Sequence, residues 1–228
     1  MNIQSIAYII DGNRRWAVQN GLPKTAGHEY GVEKMMQTIT WSQEMNIKHI
    51  SFYIFSMENW KRSATEINAF MKLFEKMLTK HVDRILDAQA AIRFVGNISK
   101  IPKRLHKQMR QIEHDTKHFP TKVYFALSYG GKDEIVHAVR DASQTMTKKQ
   151  LQTITEKQFE KFLWTSDIPD PELVIRTGGR KRLSNFFLWK TTYSELFFLN
   201  SMWPDFSRAT LKRVIKKYTD KTQINKGV

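Results

Sequence analysis

The segment Asp11-Gly12-Asn13-Arg14-Arg15-Trp16 brings a carboxylate, a glycine and two guanidinium groups together within six residues. It directly follows the apolar run Ile6–Ile10 and precedes an apparent helix, which is the position at which α/β proteins handle phosphate. A carboxylate can bind a divalent metal ion, and guanidinium groups hold anionic oxygens. The segment therefore predicts an enzyme site for a metal ion and a phosphate-bearing substrate.

Several of these side chains have an alternative interpretation. An aspartate between a strand and a helix commonly caps the helix, so Asp11 could either cap or bind metal. Arg14 and Arg15 could be ordinary solvated charges. Against this, Gly12 and Asn13 favour a close approach of backbone N–H groups to a phosphate.

Two further segments carry hydrogen-bond donors or cations. His28, at the start of the next predicted helix, could donate a hydrogen bond to an anion or cap that helix. The segment Arg176–Asn185 holds four Lys or Arg residues, which could contact nucleic-acid phosphates. However, the apolar run Phe186–Trp189 beside it is typical of a protein core and not of a base-stacking surface. With its glycines and the Ser184 hydroxyl, the segment favours a compact diphosphate pocket.

The composition limits the partners and the compartment. The formal charge is +15, which indicates an anionic partner: nucleic acid, a membrane surface or a polyanionic small substrate. The chain has 0 cysteines, which excludes disulfides and thiolate chemistry and fits a reducing compartment. No signal peptide and no apolar run of ~20 residues is evident. We therefore expect a cytoplasmic protein with at most a peripheral contact at the inner face of a membrane.

Short β-rich runs alternate with helix-length connections, which predicts one α/β domain over residues 1–228. Its mostly parallel, six-stranded sheet would be flanked by helices. The predicted strands are Ile6–Ile10, His49–Phe55, Ala91–Val95, Val123–Ser128, Leu173–Arg176 and Glu195–Leu199. The predicted helices include Glu66–Ala88, Lys103–Lys117, Asp133–Thr145, Glu156–Trp164 and Arg208–Tyr218. The polar segment Thr219–Val228 is expected to fray.

The predicted elements would bring polar segments and apolar stripes together. Polar residues follow four strands, at 11–15, 56–62, 128–132 and 176–184, and the carboxyl ends of parallel strands meet at one edge of a sheet. We therefore expect these segments to converge on one site. The apolar stripe of the helix Glu66–Ala88 either only packs on the sheet or, with a second stripe around residues 32–39, lines a slot for an apolar chain.

Eight sequence segments stand in a characteristic order along nearly the whole chain: Asp11–Ala17, Ala26–His28 with Gly31, Phe55–Arg62, Ser128–Gly131, Val174–Gly179, Arg182–Trp189, Tyr193–Leu196 and Trp203–Phe206. In sequence and order they resemble the cis-prenyltransferases, the undecaprenyl diphosphate synthase family. The resemblance implies a homodimer and a hydrophobic tunnel beside the diphosphate site. It further implies a Mg²⁺-dependent transferase that condenses isopentenyl diphosphate with an allylic diphosphate primer to give a Z-polyprenyl diphosphate.

The resemblance also implies roles for individual residues. Asp11 would bind Mg²⁺ and promote departure of the primer's diphosphate, with Asn13 beside it, and Glu195 would be a second acidic residue at the metal. Trp60 and Arg62 would lie on a loop that closes over the substrates. Arg15 and His28 would hold the primer diphosphate, and Arg176, Arg182 and Ser184 that of isopentenyl diphosphate. Further implied substrate-binding residues are Gly12, Arg14, Trp16, Lys24, Ser56, Glu58 and Asn59.

The chain departs from the family pattern in three places. Lys24 stands where an arginine usually contacts the primer diphosphate, so the charge is kept while bidentate binding is lost. Arg180 replaces a usual glutamate. The usual Arg-rich end is missing, because residues 219–228 offer only Lys221 and Lys226 as cations. This last change affects a contribution that one subunit would make to the site of the other.

Two strand residues bear on the length of the product. Ile54 and Leu127 stand where long-chain members often carry alanine, and they would narrow the tunnel if they face it. We therefore expect a product shorter than undecaprenyl. The alternatives are a divergent member that makes a short or branched terpenoid diphosphate, a non-catalytic partner subunit, and a basic nucleic-acid binder. Retention of the acidic and cationic site residues argues against a non-catalytic subunit, and we expect no nucleic-acid partner.

Overall fold

The computed structural model describes residues 3–80 and 82–224, and its centre is a six-stranded sheet. The strands are β1 Ser5–Ile9, β2 His49–Ser56, β3 Ala90–Val95, β4 Thr121–Tyr129, β5 Leu173–Arg176 and β6 Glu195–Phe198. Their order across the sheet is β3-β4-β2-β1-β5-β6, and each neighbouring pair is parallel. All six predicted strands are therefore confirmed, in a sheet that is parallel throughout.

Helices surround this sheet. They are α1 Asn13–Gln19, α2 Ala26–Glu44, α3 Ala64–Lys80, α4 Val82–Asp87, α5 Lys103–Thr116, α6 Gly131–Thr145, α7 Lys148–Gln152, α8 Glu156–Glu160 and α9 Arg208–Ile224. The helix predicted over Glu66–Ala88 corresponds to α3 and α4, and residue 81 between them lies outside the described part of the chain. The short helix α7 was not predicted, although Thr147 and Gln150 form the capping box that marks its start.

Two predicted helix ends are wrong. The helix α8 ends at Glu160, because the next residues form tight turns in which Leu163 N–H donates to the Glu160 carbonyl and the Leu163 side chain becomes buried. The helix α9 continues to Ile224, beyond its predicted end at Tyr218. Its Thr219 hydroxyl donates to the Ile215 carbonyl, 2.9 Å away. Residues 225–228 lie outside the described part of the chain.

Alternate residues of the strands β1 to β5 pack into two cores, one on each face of the sheet. In β1, Ile6 and Tyr8 join a core that contains apolar residues of α2, α3, α5 and α9, whereas Ala7 and Ile9 join a second core. Every residue of β1 and β5 is buried, which explains their continuous apolar sequences. This burial fixes the strand register, and the register fixes where the polar segments emerge.

None of the helices described in residues 3–80 and 82–224 is both long and apolar enough to cross a membrane.

Candidate active site

A cavity of about 820 Å³ opens at the carboxyl ends of β1, β2 and β5. The segments 11–15, 56–62 and 176–184 contribute to its walls. The fourth polar segment lies behind them. Its Ser128 hydroxyl accepts a hydrogen bond from Trp60 Nε1 at 2.8 Å, and its Lys132 N–H donates to Asn185 Oδ1 at 2.9 Å. The structure thus brings three of the four segments into the cavity and uses the fourth to support it.

The cavity has a cationic end and an apolar end. Among the described residues that line it, arginines outnumber carboxylates five to two. The arginines are Arg14, Arg15, Arg62, Arg176 and Arg182, and the carboxylates are Asp11 and Glu58. The apolar lining includes Val32, Met35, Ile54, Phe70, Leu73 and Met77. The apolar stripes therefore have both of the expected roles. Met71, Phe74 and Leu78 of α3 pack in the core, and other apolar residues of α2 and α3 line the slot.

Asp11 presents its carboxylate to the cationic end. Its Oδ1 accepts from Arg15 Nη2 at 3.3 Å and its Oδ2 from Arg176 Nη2 at 2.9 Å. The Thr177 hydroxyl donates to the Asp11 carbonyl at 2.7 Å and accepts from the Asp11 N–H at 3.1 Å, which fixes the backbone. The N-cap of α1 is Gly12, and it has no side-chain capping bond. The capping interpretation of Asp11 is therefore wrong.

Two glycines allow the loops around Asp11 to pack closely. Gly12 and Gly178 have φ angles of 111° and 82°, a region that L side chains rarely adopt. A Cβ atom on Gly12 would lie 2.9 Å from Met202 Cβ, and one on Gly178 would lie 2.6 Å from Arg15 Nη2. With no Cβ in the way, Arg15 Nη2 donates to the Gly178 carbonyl at 2.9 Å. The two loops can therefore hold the Arg15 guanidinium beside Asp11.

Arg176 joins two walls of the site. It is the last residue of β5 and only 4% exposed. Besides its contact with Asp11, its Nη1 donates to the Ser184 hydroxyl at 2.6 Å and to the Arg182 carbonyl at 2.5 Å. Arg182 Nε also donates to the Ser184 hydroxyl, at 3.1 Å. A buried guanidinium requires such partners, so Arg176 fixes the spacing between the two loops.

His28 lies beside two of the cavity arginines. It is in the first turn of α2, whose N-cap is Thr25, and its side chain lines the cavity, so the capping interpretation is wrong. Burial, followed by the charges of Arg62 and Arg14, lowers the pKa of His28 to about 4, against an opposing effect of Glu66. Burial and Arg14 also lower the pKa of Arg62. Crowded positive charges of this kind favour an anionic ligand.

We expect the His28 imidazole to remain neutral down to about pH 5, because its pKa in the folded protein is about 4. The unfolded chain takes up this proton near pH 6.5. Stability from this residue is therefore lost as the pH falls from about 6.5 to about 4, by roughly 3 kcal/mol in total, and changes little below that. The pH dependence of the histidine-ring chemical shifts, followed by NMR, measures the pKa of His28. The His28→Gln variant assigns its signal. Titration of His28 near pH 6.5 would contradict the expectation.

Other predicted site residues lie outside the main cavity. Trp16 Nε1 donates to Asp205 Oδ1 at 2.7 Å, and Trp60 binds Ser128 behind the wall. Lys24 lines an adjoining cavity of about 490 Å³, which shares Arg14, His28 and Arg62 with the first. Arg180 is exposed directly after the turn at Gly178 and Gly179 and does not contribute to either cavity. The remaining predicted residues on the main cavity are Gly12, Asn13, Ser56, Glu58, Asn59, Arg182 and Ser184.

The predicted metal ligands are not brought together within the chain. Glu195 begins β6 and pairs with Leu173, three residues before Arg176, so it lies roughly 10 Å from the site end of the sheet. Asp11 fits Mg²⁺, which commonly binds through one or two carboxylates completed by substrate phosphates and water. No group of three His, Asp or Glu residues in the described chain could hold an ion by itself. Of the two predicted ligands, only Asp11 lines the cavity.

Three residues that support the site were not predicted. Thr177 fixes the backbone of Asp11, as described above. Tyr53 donates from its hydroxyl to the Tyr129 carbonyl at 3.1 Å and to the Ser184 carbonyl at 3.3 Å. Asn185 contacts two other loops. Thr177 and Asn185 stand in polar segments after a strand, which was a usable signal. Tyr53 lies within an apolar strand and gave none.

Comparisons with known proteins agree with this arrangement. The family model described as "Putative undecaprenyl diphosphate synthase" matches residues 9–225. An isoprenyl transferase of Thermotoga maritima is 38% identical over 217 residues, which cover 95% of this chain and 93% of that protein. A ditrans,polycis-undecaprenyl-diphosphate synthase of Micrococcus luteus, specific for (2E,6E)-farnesyl diphosphate, is 35% identical over 219 residues, covering 95% of this chain and 88% of that protein.

A solved structure is also similar. Lavandulyl diphosphate synthase from Lavandula x intermedia, in complex with dimethylallyl diphosphate, has a TM-score of 0.88 and 30% identity, and 95% of each chain is covered. The two sequence matches and the fold match thus each cover 95% of this chain. The chain belongs to the cis-prenyltransferases, the undecaprenyl diphosphate synthase family, and is a transferase of isoprenoid diphosphate synthesis.

Proposed function

We propose that the chain is a Mg²⁺-dependent cis-prenyltransferase that condenses isopentenyl diphosphate with an allylic diphosphate primer. The observation that carries this proposal is the two-part cavity. Its cationic end around Asp11 and Arg176 suits diphosphates, and its apolar end between α2 and α3 suits a growing hydrocarbon chain. Each CH₂ group buried in such a slot contributes about 0.8 kcal/mol of transfer free energy.

The reaction begins with departure of the primer's diphosphate. Negative charge develops on this leaving group, and the guanidinium groups of Arg14 and Arg15 stabilise it in a partly enclosed cavity. Asp11 would hold Mg²⁺, which supplies further charge neutralisation at the diphosphate oxygens. Arg176 and Arg182, with the Ser184 hydroxyl, hold the second diphosphate.

The carbon–carbon bond forms when the double bond of isopentenyl diphosphate attacks the allylic carbon that loses the diphosphate. Loss of a proton then gives the new Z double bond. Asn13 lines the cavity two residues after Asp11, and its Oδ1 atom is buried and has no hydrogen-bond partner among the described residues. A buried carbonyl oxygen of this kind requires a donor, so Asn13 is suited to orient a water molecule or a substrate group.

A condensation assay tests this function. Purified protein is incubated with labelled isopentenyl diphosphate, Mg²⁺ and primers from dimethylallyl to geranylgeranyl diphosphate, and the products are separated by chromatography. We expect primer-dependent incorporation that stops when EDTA removes the metal. No incorporation with any primer would contradict the proposal and favour a non-catalytic subunit.

We further propose a product shorter than undecaprenyl, because Ile54 lines the apolar part of the cavity. An Ile54→Ala variant should give longer chains than the wild type, measured by mass spectrometry of the dephosphorylated products. Leu127→Ala is the matched control. Leu127 lies on the same face of the sheet but is fully buried in the core, so its truncation should cost about 2–5 kcal/mol of stability and leave the chain length unchanged. Undecaprenyl as the sole wild-type product would contradict the proposal.

A second candidate function is the synthesis of one short or branched terpenoid diphosphate. The observation that favours it is the close structural similarity to the Lavandula lavandulyl diphosphate synthase. Incubation with dimethylallyl diphosphate as the sole substrate separates the candidates. Formation of a single short or branched product would favour this second function, whereas a requirement for isopentenyl diphosphate and a ladder of products would favour elongation.

The proposal includes a homodimer and a peripheral contact with a membrane. The edge strand β6 supports an interface, because Leu196 is 40% exposed and Tyr193, just before the strand, is 95% exposed. Sedimentation equilibrium should give twice the chain mass of 26.9 kDa. A monomer at micromolar concentration would contradict the dimer.

Co-sedimentation with anionic vesicles measures the membrane contact. We expect the fraction of bound protein to fall when salt is added.

A further inference from the structure

Asn185 stands at the meeting point of three loops. Its Nδ2 donates to Glu58 Oε1 at 2.9 Å, and its Oδ1 accepts from the Lys132 N–H at 2.9 Å. Its backbone carbonyl accepts from the Gly131 N–H at 2.7 Å. Asn185 directly follows Ser184, the residue that binds Arg176. One side chain therefore connects the turn after β2 and the start of α6 to the loop that carries Arg182 and Ser184.

The backbone around Asn185 is held in an uncommon conformation. Ser184, Asn185 and Phe187 have φ angles of 52°, 65° and 44°, which residues with a Cβ atom seldom adopt. A Cβ atom on Gly130 would lie 2.8 Å from Asn185 Nδ2, so the amide is also tightly packed. Such a conformation persists only where several contacts determine it. The hydrogen bonds of Asn185 are among those contacts.

Glu58 links the hydrogen bond from Asn185 to the cavity, because Glu58 lines it. It lies on the short 3₁₀ helix Met57–Lys61, next to Asn59 and close to Arg62, and all three line the cavity. Burial acts to raise the pKa of Glu58, but hydrogen bonds, first that from Asn185, lower it overall. Glu58 is therefore an ionised acceptor, and the bond from Asn185 is charge-assisted.

We propose that Asn185 is a positioning residue that holds the Met57–Lys61 turn against the loop carrying Arg182 and Ser184. Through Glu58 it sets the place of Arg62, and through its own backbone it sets the place of Ser184. The two diphosphate pockets of the proposed function are thereby formed together. This inference rests on that function for its kinetic consequence, but the contact between the loops is independent of it.

An exchange of donor and acceptor tests the proposal. Asn185→Asp keeps the acceptor for Lys132 but sets a second carboxylate against Glu58, so the KM for the diphosphate substrates should rise about 10- to 100-fold at pH 8. The defect should lessen as the pH falls, because the two carboxylates then share a proton. The double variant Glu58→Gln/Asn185→Asp restores one donor and one acceptor, and its KM should lie within about threefold of that of Glu58→Gln alone.

Asn97→Asp provides the matched control. Asn97 Nδ2 lies 3.5 Å from Asp133 Oδ2, so this change creates a similar pair of carboxylates away from the cavity-lining residues. It should leave the KM values unchanged. An unchanged KM in Asn185→Asp would overturn the proposal. So would a KM of the double variant that is as high as that of Asn185→Asp.

Hydrogen exchange tests the positioning role of Asn185 independently of the proposed enzyme activity. Backbone amides of residues 57–62 should exchange faster in Asn185→Asp than in the wild type and return towards the wild-type rate in the double variant. This result is expected even if no prenyl transfer is detected. Equal exchange in all three proteins would contradict the positioning role, whatever the enzyme activity. Urea unfolding of each variant shows whether the chain is folded.

Discussion

An Asp11→Asn variant should lose about a thousandfold or more in kcat while remaining folded. The substitution keeps the size of the side chain but removes the charge that pairs with Arg15 and Arg176 and that would hold Mg²⁺. Without the metal, the leaving diphosphate loses electrostatic stabilisation worth several kcal/mol in the transition state. Steady-state kinetics at saturating Mg²⁺ measures the loss, and urea unfolding measures the stability.

Asp167→Asn is the control for this experiment. Asp167 pairs with Arg93 and does not line the cavity, so the same loss of a surface charge should change kcat by less than about twofold. A kcat in Asp11→Asn of a tenth or more of the wild-type value would contradict the role of the Asp11 carboxylate in catalysis.

Arg176→Lys should lower kcat/KM by about 100-fold although the positive charge is retained. The guanidinium reaches Asp11, Ser184 and the Arg182 carbonyl simultaneously, and a lysine ammonium cannot reproduce this fork. Because the side chain is buried, each partner left without a donor adds to the loss. Kinetics with each substrate varied in turn shows whether one diphosphate is affected more than the other.

Arg93→Lys is the matched control, since Arg93 also pairs with an aspartate but lies outside the cavity. Its kcat/KM should stay within about twofold of the wild type. If Arg176→Lys stays within threefold of the wild type, Arg176 acts only as a point charge, and its proposed role in spacing the two loops is wrong.

The fold could be predicted well because its signals are local. The strands β1 and β5 are apolar runs that are buried on both faces, and polar residues follow them where the sheet ends. The parallel register then places Asp11 near Arg176, although 164 residues separate them in the chain. Sequence patterns were less able to locate helix ends, because turns such as that at Leu163 depend on tertiary burial.

The site was predicted less completely, for a physical reason. A segment can be assigned to one end of the sheet from its sequence, but the direction of each side chain depends on neighbours far away in the chain. Trp16 turns to Asp205 and Trp60 to Ser128, and both therefore leave the cavity lining. Tyr53 supports the Ser184 loop from within an apolar strand. Such contacts can be identified only after the loops have been placed.

The configuration of the newly formed double bond shows whether this cavity carries out cis-prenyl transfer. The protein is incubated with ¹³C-labelled isopentenyl diphosphate, Mg²⁺ and an all-E allylic primer, and the product is analysed by ¹³C NMR and mass spectrometry. We predict a prenyl diphosphate extended by whole isoprene units, with each new double bond Z. New double bonds in the E configuration, or no extension of any primer, would contradict the assignment of cis-prenyl transfer to this cavity.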